Sequence, residues 1–219
     1  MKASHSVKKN AGFVNKFLKK ELKGNPKQLY DAASHLILHG GKRLRPFLVL
    51  KSCQMLGGRQ SDAMAAASAV EMIHNFTLVH DDIMDNDEMR HGVPTTHKKF
   101  DMPLAILAGD VLYSKAYHTI SSKSKLSSNY TTQLVSKLSK TCVEICEGQV
   151  NDIKFAENKR IPTEKDYIKM IEKKTKGCEK SIIVWKEFRN SIPNYRRSYW
   201  NYWRQQSYEK TSRKRHTRR

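Results

Sequence analysis

Apolar residues recur at every third or fourth position through most of the first 175 residues, and the strict alternation of a half-buried strand is nearly absent. Phe13, Val14, Phe17 and Leu18, set among Lys8, Lys9, Lys16, Lys19 and Lys20, predict an amphipathic first helix. Asn25-Pro26 opens a second helix through Leu38, which Gly40-Gly41 ends. A third is expected from Leu44 to Leu56, stopping at Gly57-Gly58. Ser61 and Asp62 are placed to cap a long helix from Ala63 to about Met89, with Gly92-Val93-Pro94 as terminator. Further helices are predicted from Met102 to about Ser121, from Thr132 to Phe155, and from Glu164 to Lys174. Long helices on short connections make an all-α bundle the natural architecture.

The pattern breaks after Thr175. Residues 176–219 hold Trp185, Trp200 and Trp203, the chain's three tryptophans, and four of its nine tyrosines. They also carry 13 Lys/Arg against 3 Asp/Glu, half of the net +20. Interleaved aromatics and cations can stack on bases and neutralise phosphates, so single-stranded nucleic acid is one reading of this tail. A frame-disrupted or disordered stretch belonging to no evolved domain is the expected one, and divergent helices are a third. On that division residues 1–175 form the domain, and nucleic acid is not an expected partner. The rest of the excess charge is ordinary for a cytosolic enzyme.

Cys53, Cys142, Cys146 and Cys178 form no metal-binding pattern, and without a secretory signal they are expected to be reduced thiols in a cytoplasmic protein. No apolar run approaches the roughly 20 residues that a membrane span needs. The Lys-rich first helix could be an organelle-targeting segment. Lacking Arg and a signal-peptide apolar core, it is read as the first helix of the fold.

Asp81, Asp82, Asp85, Asp87 and Glu88 put five acidic residues into eight positions at the end of an Ala-rich helical run. On one helix, Asp81 and Asp85 are neighbours with Cβ atoms about 5–6 Å apart. Two carboxylates at that distance repel by roughly 3 kcal/mol at an effective dielectric of 20. A helix C-terminus also opposes negative charge. The cluster therefore calls for a cation, and oxygen-only ligands point to Mg²⁺ held jointly with substrate phosphates. Upstream, Gly40-Gly41-Lys42-Arg43-Leu44-Arg45-Pro46 feeds a glycine turn with three cations into a helix start, a ready phosphate site. His74 lies seven residues before Asp81, on nearly the same face, and Glu147-Gly148-Gln149-Val150-Asn151-Asp152 places polar residues in a helix that should otherwise be buried.

Together these residues resemble the trans-isoprenyl diphosphate synthases, the polyprenyl synthetase family. GGKRLRP, the upstream His, DDxxD followed by Arg90, Gly92-Val93-Pro94-Thr95-Thr96-His97, Ala108-Gly109-Asp110 and Gln149 to Asp152 occur in the family's order and approximate spacing. The wording around Met84–Lys115 is most similar to archaeal geranylgeranyl diphosphate synthases. The resemblance covers residues 1–175, somewhat over half of the family's usual domain, and implies the N-terminal portion of an isoprenoid-synthase-type helical bundle. It implies that Asp81 and Asp85 bind Mg²⁺ on the diphosphate of the allylic substrate, with Asp82 in support and Arg90 gripping the same diphosphate. Lys42, Arg45 and His74 would hold isopentenyl diphosphate. Lys174 and Thr175 match a later Lys-Thr pair that approaches the allylic diphosphate from the opposite wall, and Gln149 belongs to the substrate site. Where the family often has a second Arg, this chain has His91, which would weaken isopentenyl diphosphate binding or make it pH-sensitive.

The implied reaction is condensation of isopentenyl diphosphate with an allylic diphosphate, as in geranylgeranyl or farnesyl diphosphate synthases, by a homodimer. Phe76, five residues before Asp81, is the expected chain-length residue beside the smaller Thr77, and either packs in the core or limits products to about C20, roughly 7.5 Å along the axis. The family's second aspartate-rich motif is missing, because no DDxxD-like sequence follows Asp152. Little activity is expected of this polypeptide alone. A non-catalytic partner subunit of a full-length synthase is the alternative, alongside nucleic-acid binding through the tail.

Overall fold

In a computed structural model the chain is described for residues 2–55 and 58–157, with side chains described within 6–150; these residues lie in the first of two units, residues 1–183. The expected helix Glu164–Lys174, the pair Lys174 and Thr175, and the 176–219 tail lie outside the described residues. Seven helices and one short hairpin follow in the order α1 (Lys2–Glu21), α2 (Lys27–His39), α3 (Leu44–Met55), α4 (Gln60–Met84), β1 (Met89–Arg90), β2 (Val93–Pro94), α5 (Thr96–Lys99), α6 (Met102–Lys123) and α7 (Ser128–Glu157).

Helix α4 is the centre. Ala65, Ala67, Ser68, Ala69, Val70, Glu71, Met72 and Ile73 are all buried, so this helix is covered nearly all round, as its small and apolar residues allow. It packs most extensively on α6 and then on α3, while α1 lies against α3 and α4, and α2 against α6. The core runs through Val14 and Leu18 of α1, Leu36 and Ile37 of α2, Leu50 of α3, Met72 and Val79 of α4, Leu112 and Ala116 of α6, and Leu138 of α7. The α4–α6 contact is close at Gly109, where an added Cβ would run into the His80 ring.

Two boundaries of α4 differ from expectation. The helix starts at Gln60, and Asp62 sits in its first turn, accepting from the backbone N–H of Arg59 at 3.2 Å, instead of standing before the helix as its cap. It ends at Met84 and not near Met89. Asn86 has φ +50, its N–H bonds Ile83 O at 3.2 Å, and the N–H of Asp87 bonds Asp82 O at 2.9 Å. This left-handed Schellman ending satisfies carbonyls that a continuing helix would have used. The chain then doubles back: Met89 pairs with Pro94 and Arg90 with Val93 across a two-residue turn, His91 (φ +54) and Gly92 (φ +80), the handedness that favours tight hairpins. Thr95, fully buried, pins this hairpin by donating from Oγ1 to Asp87 O (2.8 Å) and from its N–H to Glu88 O (3.0 Å).

Candidate diphosphate and metal site

The glycine turn separates the three cations of residues 40–46. Gly41 takes φ +93 and Arg43 φ +52, conformations that reverse the chain within four residues. Lys42 stays exposed and Arg45 half-buried, while the Arg43 side chain turns inward and is only 4% exposed. It pairs with Glu71, equally buried, at 3.0 Å. Arg43 therefore does not belong to the phosphate-facing set that three adjacent cations suggested. Burial pushes the Glu71 carboxyl above its ordinary range, against the pull of Arg43 and Arg45.

Cationic groups also bear on His74. Burial holds this imidazole well below its usual pKa, and Arg45, His91, Arg90 and Arg43 push it further down. The hairpin reaches the turn directly, since an added Cβ on Gly40 would lie 2.6 Å from Cβ of His91. Burial, then Arg90 and Arg43, lower the His91 pKa as well, with Asp82 opposing. Arg45 and His74 also border a cavity whose other lining residues are Val70, Ile73, Thr77, Thr141 and Ile145. The recess is small and mostly apolar, with Arg45 at its edge. Gln149 is half-buried one turn beyond Ile145, on the same stripe of α7 as Thr141.

The acidic cluster divides in two. Asp82 is fully buried and carries the Arg90 guanidinium, which also reaches Asp87 at 3.2 Å. Arg90, expected to grip a diphosphate, is therefore engaged within the protein, because the hairpin folds it back onto the helix end. Asp81 is half-buried in the last turn of α4, and Asp85, exposed, caps its end, its N–H bonding Asp81 O at 2.8 Å. Among the described residues no three His, Cys, Asp or Glu side chains gather into a metal-holding group. Two hard oxygen donors one turn apart still fit a divalent cation that completes its shell with phosphate oxygens and water.

Phe76 and Thr77 part company. Phe76 faces α6, its ring 5.2 Å from that of Tyr113 and 4.7 Å from that of His80, and Tyr113 stacks on Tyr117 at 4.9 Å. Thr77 borders the cavity, with its hydroxyl donated to His74 O at 2.8 Å.

The model of the polyprenyl synthetase family matches residues 26–181. The chain belongs to that family. It is 48% identical over 173 residues to a geranylgeranyl pyrophosphate synthase of Geoglobus acetivorans, a match covering 78% of this chain and 54% of that one. A geranylfarnesyl diphosphate synthase of Natronomonas pharaonis is 40% identical over 166 residues, covering 68% of this chain and 48% of its own. Among solved structures, geranylgeranyl pyrophosphate synthetase from Pyrococcus horikoshii superposes with a TM-score of 0.79 at 39% identity, covering 83% of this chain and 56% of that one. The chain spans about half the length of the curated relatives it matches.

As a polyprenyl synthetase family chain it has the all-α fold that its pattern predicted. The structure places Arg45, His74 and Thr77 on one cavity and packs His91 of the hairpin against Gly40 of the turn. Sequence reasoning missed the Arg43–Glu71 pair and the lining residues Val70, Ile73, Thr141 and Ile145. The stripe 70, 73, 74, 77 was readable as one helix face, but only the fold says which face meets α7. No described helix is long and apolar enough to cross a membrane.

Proposed function

We propose that this chain carries the substrate-binding half of a short-chain trans-prenyltransferase. Its isopentenyl diphosphate site is Lys42, Arg45 and His74, and its allylic site is Asp81 and Asp85. What supports the reading most is Arg45 beside a half-buried His74 on one mostly apolar recess, with His91 of the hairpin packed on Gly40 next to the exposed Lys42. Lys42 stands exposed and Arg45 half-buried on the same turn, so both can meet an anionic head.

Lys42 and Arg45 neutralise the isopentenyl diphosphate head, and His74 donates a hydrogen bond to it. Asp81 and Asp85 would hold Mg²⁺, which when bound supplies positive charge to the allylic diphosphate as its C–O bond breaks. Asp82 keeps Arg90 in place beside that head. Val70, Ile73 and Ile145 exclude water from the allylic cation. The double bond of isopentenyl diphosphate then attacks that cation, a C–C bond forms, and a proton is lost to the departing diphosphate. Phe76 limits growth, with geranylgeranyl diphosphate the leading product and farnesyl diphosphate next. Lys174, Thr175 and Gln149 belong to this proposal as further substrate contacts. A homodimer in the cytoplasm is its setting, with Ile106 and Leu107 of α6 offering exposed apolar surface.

Calorimetry tests the reading. Isopentenyl diphosphate is expected to bind without metal, and farnesyl diphosphate only with Mg²⁺. Failure of both to bind would sink it. Turnover of radiolabelled isopentenyl diphosphate with an allylic diphosphate tests the condensation itself.

A further inference from the structure

Arg43 is the one cation of the glycine turn that the proposed chemistry leaves unused, yet it is the most thoroughly bonded. Its Nε donates to Asn15 Oδ1 at 2.8 Å, and Nη1 donates to Gly40 O at 2.6 Å and Glu71 Oε1 at 3.0 Å. Nη2 donates to Ile37 O. One guanidinium thus joins α1, the end of α2, the turn itself and α4. Glu71 stands three residues before His74, so the tie fixes the turn against the part of α4 that carries the imidazole. Arg43 also holds φ +52, a left-handed conformation that a side chain with a Cβ disfavours. Gly41 must lack a Cβ here, because one would lie 2.3 Å from Nη1 of Arg43. Asn75, one turn after Glu71, donates to Glu71 O at 2.8 Å and completes a buried polar line.

We propose that Arg43 is a positioning residue that locks the 40–46 turn before substrate arrives, so that Lys42 and Arg45 face the isopentenyl diphosphate head together with His74. This rests on the prenyltransferase reading of that site. The fork geometry is essential to it: five N–H donors in a plane can serve four acceptors at once, which a lysine ammonium at the end of a flexible stem cannot. A locked turn spares the ordering cost that a mobile cationic loop incurs on binding.

The test compares two binding sites in one protein. In Arg43→Lys, and in the double variant Arg43→Met with Glu71→Met, which removes the buried pair without leaving a lone charge, calorimetry reads two affinities. Isopentenyl diphosphate without metal is expected to bind about tenfold or more weakly, while farnesyl diphosphate with Mg²⁺ stays within about threefold of the parent. Isopentenyl diphosphate affinity unchanged within about threefold overturns the proposal, as does a joint fall in both affinities with the melting temperature, the mark of a merely structural pair. Hydrogen exchange in the parent needs no variant to fold. Amides 42–45 are expected to gain less than about threefold protection when isopentenyl diphosphate is added. A gain of about a hundredfold would mean that ligand, not Arg43, orders the turn, and would overturn the proposal. A parent that binds no isopentenyl diphosphate removes the prenyltransferase reading, and this proposal with it.

Discussion

Arg90 folds back onto Asp82, eight residues earlier in the chain, and buries the middle carboxylate of the acidic cluster against a guanidinium. Asp82, with Asp87 on the same guanidinium, is thereby set apart from Asp81 and Asp85 on the outer turn. One residue of difference in position separates a carboxylate buried on a guanidinium from one at the half-buried helix end.

That sorting makes opposite predictions for neighbours. The Asp82 side chain is 1% exposed and that of Arg90 13%, so Asp82→Ala is expected to cost up to about 3–5 kcal/mol by taking the buried anion from a guanidinium that keeps only Asp87, at 3.2 Å. Asp85→Ala, at an exposed helix end where a carboxylate opposes the dipole, should stay within about 0.5 kcal/mol. Urea midpoints at constant slope read both values.

Magnesium is expected to raise the melting temperature of the parent in the presence of inorganic diphosphate. At a free concentration of about 100 times Kd, the gain is roughly 2.7 kcal/mol. Asp81→Asn and Asp85→Asn should each abolish this gain. Retention of the full gain in both variants would place the ion elsewhere.

Stability should fall as pH drops from about 7.5 to 5.5. The native His74 pKa lies well below 6.5 because burial, and then Arg45, disfavour the imidazolium. The unfolded chain therefore binds a proton near pH 6.5 that the native chain does not, and stability is lost as pH falls through and below that value. The slope for one such proton approaches about 1.4 kcal/mol per pH unit. His35 and His91, lowered in the same direction, add to it. His74→Gln should flatten the profile measurably in parallel urea titrations at each pH; an unchanged slope would show that His74 is not the source.

Gly109→Ala should destabilise by about 1–3 kcal/mol, because the new methyl group meets the His80 ring across the α4–α6 contact. His80→Ala in the same background should recover part of the loss. A neutral Gly109→Ala measured by thermal denaturation would mean that the two helices can separate without cost.

Phe76→Ala is expected to lengthen the product by at least one isoprene unit in the proposed reaction, and Tyr113→Ala to lengthen it further when combined with it, because Tyr113 backs the Phe76 ring at 5.2 Å. Chromatography of dephosphorylated products decides this. The same products from parent and Phe76→Ala would leave Phe76 as core packing only.

Much of this protein was legible in the order of its residues. Helical periodicity determined the all-α class, because a buried stripe every 3.6 residues is a local property of the chain. Gly40-Gly41, Gly109 and the acidic cluster marked places where backbone or charge does something costly, and such costs are visible residue by residue. The long helix overran at its end because Asn86 terminates it through carbonyl partners, while the apolar spacing alone would have carried it on. What only the tertiary structure decided was which like-charged neighbours do which work. Arg43 and Arg45, or Asp81 and Asp82, are interchangeable by composition and differ in the direction each side chain leaves the backbone. That direction is set by the left-handed turn at Gly41 and Arg43 and by the hairpin that carries Arg90 home. The partners that bury one charge and leave its neighbour at the surface come from 28 residues away for Arg43 and Glu71, beyond the reach of any local pattern.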